Sequence, residues 1–251
     1  MAAIGLAAAV LAQRDPDAIV GSFAADHMIS GDDAFLSAVA EAVEVAKKDY
    51  LVTIGIAPSH PSTGFGYIRL GDKVGIKQAP NARLVSSFKE KPDARTAAAY
   101  IGTGNYRWNA GMFVTRATVL MDLLKDYKPD LHDGLQKIAS VWANEEERRV
   151  VLAEVWPTLE KIAIDHAVAE PAAAEGKVAV VPGTFGMWVL TDQKYASLIQ
   201  LPSGWDDVGD FSSLADLLPA ESNQPRVLGD SSYGARFVSY LISIAVNTVS
   251  P

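Results

Sequence analysis

A chain of 251 residues, 49% hydrophobic and 21% charged, can bury a sizeable core and stands at the upper end of one ordinary domain. Its net charge of −8 and pI near 5.0 exclude an extended nucleic-acid surface, which needs a basic stripe, yet leave room for the local cations that a phosphorylated small molecule requires. With no Cys there are neither disulfides nor thiolate metal sites, and the cytoplasm is the expected location.

Residues 2–12 are apolar nearly all round and rich in strong helix formers, which predicts a buried helix. The segment has no basic n-region and runs straight into Arg14-Asp15-Pro16, so it reads as part of the domain rather than as a signal peptide. A helix that begins at Met1 without a capping residue implies that something upstream is absent. Residues 18–25 have the length of a buried strand, with Asp26-His27 at its end, and Gly31-Asp32-Asp33 opens a helix whose apolar Phe35, Leu36, Val39, Val43 and Ala46 recur at helical spacing. The β-branched run LVTIGI, 51–56, is the next strand. Strand, helix and strand in that order predict a parallel sheet covered by helices, with ligands at the carboxyl ends of the strands.

Further along, 85–88 is a strand stopped by Glu90-Lys91-Pro92, and Asp93 caps a helix over 94–101. Residues 106–114 run from loop into strand, helices are predicted over 118–126, 131–142, 145–156 and 162–169, and VAVV, 178–181, is a buried strand. Residues 171–176 read as a small-residue loop. The apolar run 237–246 is too short to cross a bilayer and reads as a strand or core segment.

The chemistry-bearing residues each have two readings. In TGFGYIRLG, 63–71, Gly64 and Gly66 can bring main-chain N–H groups against a polar ligand while Phe65 and Tyr67 wall it in, or the stretch is a hairpin turn. Asp26 caps a turn, or joins the aspartates of WDDVG, 205–209, in holding Mg²⁺, which takes one or two carboxylates plus phosphate oxygens and water. Glu90 and Lys91 are a solvated ion pair, or a carboxylate for sugar hydroxyls beside a point charge for phosphate. Asn109 is a turn residue, or donates and accepts to a polyol at once.

Six segments in order, AADHMI, TGFGYI, FKEKP, YRWNAGMF, KIAIDHAVAE and WDDVGDF, spread from Ala24 to Phe211, carry a resemblance to the mannose-1-phosphate guanylyltransferases, or GDP-mannose pyrophosphorylases, of the bacterial single-domain type. Glucose-1-phosphate thymidylyl- and uridylyltransferases share some of these pieces, but WNAGMF with IDHAVAE is more similar to the mannose enzymes. The resemblance implies a Rossmann-like α/β nucleotidyltransferase fold, a mixed, mostly parallel sheet flanked by helices and truncated at its N-terminus. It implies that Asp26 and Asp207 hold Mg²⁺, that Gly64 and Tyr67 line the sugar-phosphate pocket, and that Glu90 and Asn109 bind mannose hydroxyls. Lys91 would face the phosphate, Asp165 and Glu170 would shape the sugar end, and His27 would sit beside the metal without binding it. The implied reaction is attack of a mannose-1-phosphate oxygen on the α-phosphate of GTP, giving GDP-mannose and pyrophosphate. Implied partners are mannose-1-phosphate, GTP and a second copy of the chain in a homodimer, with no nucleic acid and no membrane.

Three departures bear on activity. The GGxGTR loop and downstream PK that cradle the triphosphate in such enzymes do not precede Met1, so GTP is expected to bind weakly and the chain to be inactive by itself. Residues 187–203 read as an insert and 233–251 as a foreign hydrophobic tail, leaving 1–232 as the nucleotidyltransferase domain. Two other functions stay open at this level: a non-catalytic sugar-phosphate-binding or regulatory paralogue, and a metal-dependent glycosyltransferase using Asp26 and Asp207 around a nucleotide sugar. FKEKP and WNAGMF suit a phosphorylated sugar and weigh against the last.

Overall fold

The computed structural model describes residues 1–29, 31–183 and 205–208; the expected insert 187–203, the tail 233–251 and the apolar run 237–246 lie outside the described residues. The chain divides into two compact units, Met1–Ala24 with Asp33–Thr184, and Ala25–Asp32 with Phe185–Pro251. No helix among the described residues is long and apolar enough to cross a membrane.

In chain order the elements are α1 (Ala2–Arg14), β1 (Ile19–Ser22), β2 (Met28–Ile29), α2 (Asp32–Ala46), β3 (Leu51–Ile56), β4 (Gly66–Lys73), β5 (Arg83–Lys89), α3 (Ala94–Gly102) and β6 (Tyr106–Arg116). They continue with α4 (Ala117–Tyr127), α5 (Pro129–Ser140), α6 (Glu145–Val155), a π-helical turn (Asp165–Ala169), α7 (Glu170–Ala174), β7 (Val178–Pro182) and β8 (Trp205–Asp206). The first unit is built on a six-stranded sheet in the order β1-β6-β3-β7-β5-β4, and the first half of β6 also pairs with β4.

The α/β fold with a mixed sheet and helices around it is as expected, but the pairing corrects the expected mostly parallel sheet. β1 and β3 run the same way, as the strand-helix-strand pattern predicts, yet β6 is inserted between them and is antiparallel to both. β5 likewise lies antiparallel to β7 and to β4, so among the described pairings only β3 with β7 is parallel. The physical reason is connectivity: the short 74–82 link from β4 to β5 needs no crossover and gives an antiparallel ladder directly.

β3 sits between β6 and β7 and is buried at every position, which explains its continuous apolar run. Around it Leu51, Ile68, Val85, Phe113, Val178 and Val180 form the sheet side of the core. α1 packs on α4 and α5. Its apolar composition predicts burial all round, but only Gly5, Ala8, Ala9 and Val10 are buried, because a helix lying on two neighbours covers one stripe. The expected loop at 171–176 is largely helix: Pro171 falls in the first turn of α7, where a missing N–H breaks no hydrogen bond, and three alanines follow.

β6 carries the irregularity that matters for the site. Thr53 pairs with Phe113, but Gly55 pairs with Asn109, so β6 uses four residues where β3 uses two. Gly111, at φ +67°, takes up the excess in a left-handed conformation that a side chain would resist.

In the second unit β2 and β8 pair antiparallel, Met28 with Asp206 and Ile29 with Trp205. The His27 ring meets the Trp205 ring edge-on at 5.3 Å.

Candidate functional site

Register assembles the site in the first unit. β4 pairs Gly66 with Asn109 on β6, and Tyr67 with Lys89 on β5, so the residue after β5, Glu90, arrives beside Gly66. A β-carbon on Gly66 would overlap Glu90 Oε2 and stand 3.3 Å from Asn109 Cβ. Gly66 is therefore the glycine whose bare backbone the site requires. Gly64 is exposed, and its N–H donates to Ser62 Oγ at 3.1 Å. Tyr67 is fully buried; its hydroxyl donates to the Ser62 carbonyl at 2.9 Å and its ring leans on Tyr100 at 5.6 Å, so it holds the 62–66 turn from beneath.

Asn109 is 7% exposed and its amide is almost fully committed. Oδ1 accepts from Thr53 Oγ1 at 2.9 Å and from the Gly111 N–H at 3.3 Å, while Nδ2 donates to Asp165 Oδ1 at 2.6 Å. An amide oxygen has two lone pairs and an NH₂ group two donors, so Asn109 has one N–H to spare and no acceptor. That leaves the amide a free donor and no free acceptor, where the sequence suggested both. The π-helical turn that opens at Asp165 supplies that carboxylate.

Glu90 is the electrostatic centre. Its side chain is 15% exposed, Oε1 lies 3.8 Å from Lys91 Nζ, and Oε2 is buried with no hydrogen-bond partner. Burial, then the Asp165 charge, pushes its carboxyl up from the ordinary range; Lys91 and His166 oppose this, and Glu170 adds to it. Lys91 is exposed at φ +43° directly before Pro92, a position where backbone crowding already restricts the chain. Such strain is commonest at functional sites. His166 Nδ1 lies 3.1 Å from Glu170 Oε2, one helical turn on, and that hydrogen bond raises the imidazole pKa against the effect of burial.

The first unit thus brings together Gly66, Glu90, Lys91, Asn109, Asp165, His166 and Glu170: carboxylates to accept from hydroxyls, one amide donor, a lysine cation, and an imidazole whose pKa is raised. Thr53 completes it, and neither Thr53 nor His166 stands out in the sequence as a site residue. Thr53 is the one hydroxyl in an otherwise apolar strand, the sole local sign that it has a polar task.

Asp26 and Asp207 lie in the second unit. Asp26 is exposed and Asp207 half-buried, and both charges act on His27. Burial outweighs them and lowers the His27 pKa, and its Nδ1 is buried without a hydrogen-bond partner. Among the described residues there is no group of three or more carboxylates and imidazoles that could hold a metal ion unaided. Asp26 and Asp207 are carboxylates of the kind that Mg²⁺ takes in ones or twos, alongside phosphate oxygens and water.

The profile of the family described as Nucleotidyl transferase matches residues 1–224. The chain is 36% identical over 217 residues to a mannose-1-phosphate guanylyltransferase of Escherichia coli K12, covering 86% of this chain and 41% of that protein. It is 34% identical over 230 residues to a mannose-1-phosphate guanylyltransferase of Salmonella typhimurium, covering 91% and 43%. Thus it spans about two fifths of the length of these curated relatives. A crystal structure described as a mannose-1-phosphate geranyltransferase from Thermus thermophilus superposes with a TM-score of 0.70 at 28% identity, over 92% of this chain and 58% of that one. A family match over most of the chain, on a mixed sheet beside which Glu90, Asn109 and Asp165 gather, leaves one assignment: the chain belongs to the nucleotidyl transferase family.

Proposed function

We propose that this chain carries the sugar-phosphate site of a mannose-1-phosphate guanylyltransferase, which joins GMP from GTP to mannose-1-phosphate and releases pyrophosphate. The observation that carries the reading is the buried, unpartnered Glu90 Oε2 beside Asn109, whose amide keeps one donor to spare. A sugar hydroxyl that donates to Glu90 and accepts from Asn109 would satisfy both. The names of the E. coli and Salmonella relatives support the same substrate.

In this reading Asp165 and Glu170 bound the sugar end, Gly64 and Tyr67 shape the adjoining turn, and Lys91, which like His166 acts on Glu90, faces the 1-phosphate. A phosphate oxygen of the sugar attacks the α-phosphorus of GTP as the bond to the β-phosphate breaks, so the chain's work is positioning and charge neutralisation rather than covalent catalysis. Asp26 and Asp207 would hold Mg²⁺, which when bound neutralises phosphate charge. A cytoplasmic setting and a homodimer belong to the same proposal. Calorimetric titration tests it: mannose-1-phosphate should bind more tightly than glucose-1-phosphate or free mannose. Equal affinity for all three, or no binding of mannose-1-phosphate, would overturn it.

A further inference from the structure

We infer that Thr53 is a positioning residue, whose buried hydroxyl anchors the Asn109 amide so that it meets the ligand as a donor only. The inference rests on the proposed sugar-phosphate site and adds to it how a ligand hydroxyl is selected. Thr53 is 0% exposed, on the central strand β3, and its hydroxyl has one described partner, Asn109 Oδ1 at 2.9 Å. An asparagine amide turned over by 180° has nearly the same shape, so the neighbours decide which end faces the ligand. Asp165 can only accept, which draws Nδ2; the Gly111 N–H can only donate, which draws Oδ1, but at 3.3 Å. The Thr53 hydroxyl makes the shorter bond to Oδ1 and fills its second lone pair.

The consequence is a filter. With Oδ1 occupied from behind, a ligand group facing Asn109 has to accept its spare N–H, and has to hand its own proton to a carboxylate such as Glu90. A hydroxyl in the right place does both; an ether, or a hydroxyl of the wrong configuration, leaves a buried partner unsatisfied. Without Thr53, the buried Oδ1 is left short of a donor, and the amide can rock or take a proton from the ligand instead. Selectivity would then fall along with affinity.

The contact falls at the bulge in β6. Asn109 pairs with Gly55, two residues along β3 from Thr53, so its amide reaches diagonally across the ladder. That geometry is invisible in LVTIGI, where Thr53 reads as one more β-branched strand former.

The experiment uses Thr53→Val, Thr53→Ala and Thr53→Ser in the full chain, with thermal melts to establish that each variant folds. The side-chain NH₂ signals of Asn109, identified by their loss in Asn109→Ala, are followed by NMR, and mannose-1-phosphate and glucose-1-phosphate are titrated calorimetrically. We expect Thr53→Val and Thr53→Ala to shift and broaden the Asn109 NH₂ pair, to weaken mannose-1-phosphate binding about tenfold and to narrow its advantage over glucose-1-phosphate, and Thr53→Ser to restore all three. Unchanged NH₂ signals and selectivity in Thr53→Val, or a Thr53→Ser as impaired as Thr53→Val, would overturn the inference. If the wild-type chain does not bind mannose-1-phosphate, the proposed function falls, and the NH₂ signals still decide the role of Thr53.

Discussion

Glu90 Oε2 lies against the bare α-carbon of Gly66, so closely that any side chain at residue 66 has to displace it. The obstructed atom is the tip of a side chain rather than backbone, so the fold can yield, while the carboxylate loses its place. Gly66→Ala is therefore expected to weaken mannose-1-phosphate binding by about 1–3 kcal/mol, the loss for a buried polar group left unpaired, with a smaller change in melting temperature. Calorimetry and thermal melts on the same preparation separate the two effects. Binding that survives unchanged would mean that Glu90 is not where the sugar is held.

Glu90 also gives a pH dependence with a definite sign. Its folded pKa is raised above the ordinary 4.5, chiefly by burial and then by Asp165. Below 4.5 the folded and unfolded chains both hold the proton and the group makes no difference. From there up to the raised folded value only the unfolded chain releases its proton, so stability falls as pH rises. Glu90→Gln removes this titration: its urea midpoint should exceed that of the wild type near neutral pH, and the gap should close below 4.5. A Glu90→Gln that is equally stable or less so near neutrality would contradict the burial assigned to this carboxylate.

The His166–Glu170 contact is open to direct titration. The hydrogen bond at 3.1 Å holds the imidazole pKa above the ordinary 6.5, so more of it is charged at neutral pH beside the proposed phosphate end. NMR titration should place the wild-type imidazole above 6.5, and Glu170→Gln should bring it down. A pKa that does not move would show that the pair is not formed in solution.

How much of this is legible in the sequence depends on whether the controlling interaction is local. Glu90-Lys91-Pro92 can be read because the proline marks the end of β5 and the carboxylate stands next to it in sequence. Asn109 stands out as a polar residue beside Trp108, although which of its atoms are free depends on Thr53 and Asp165, each 56 residues away. Gly64 and Gly66 are equivalent in TGFGYI; only the pairing of Gly66 with Asn109 shows which one needs to be glycine. The insertion of β6 between β1 and β3 has no local signal either, since an antiparallel and a parallel neighbour impose the same apolar run on a buried strand. α7 is hidden for the opposite reason: Pro171 reads as a breaker, although in a first turn it is tolerated.

The central claim is that Glu90 and Asn109 hold the hydroxyls of mannose-1-phosphate, and calorimetric titration of that ligand into the wild type, Glu90→Ala and Asn109→Ala tests it most directly. The account predicts binding by the wild type, and a loss of about 1–3 kcal/mol in each variant from leaving buried hydroxyls unpaired. Affinity unchanged in both variants would contradict it.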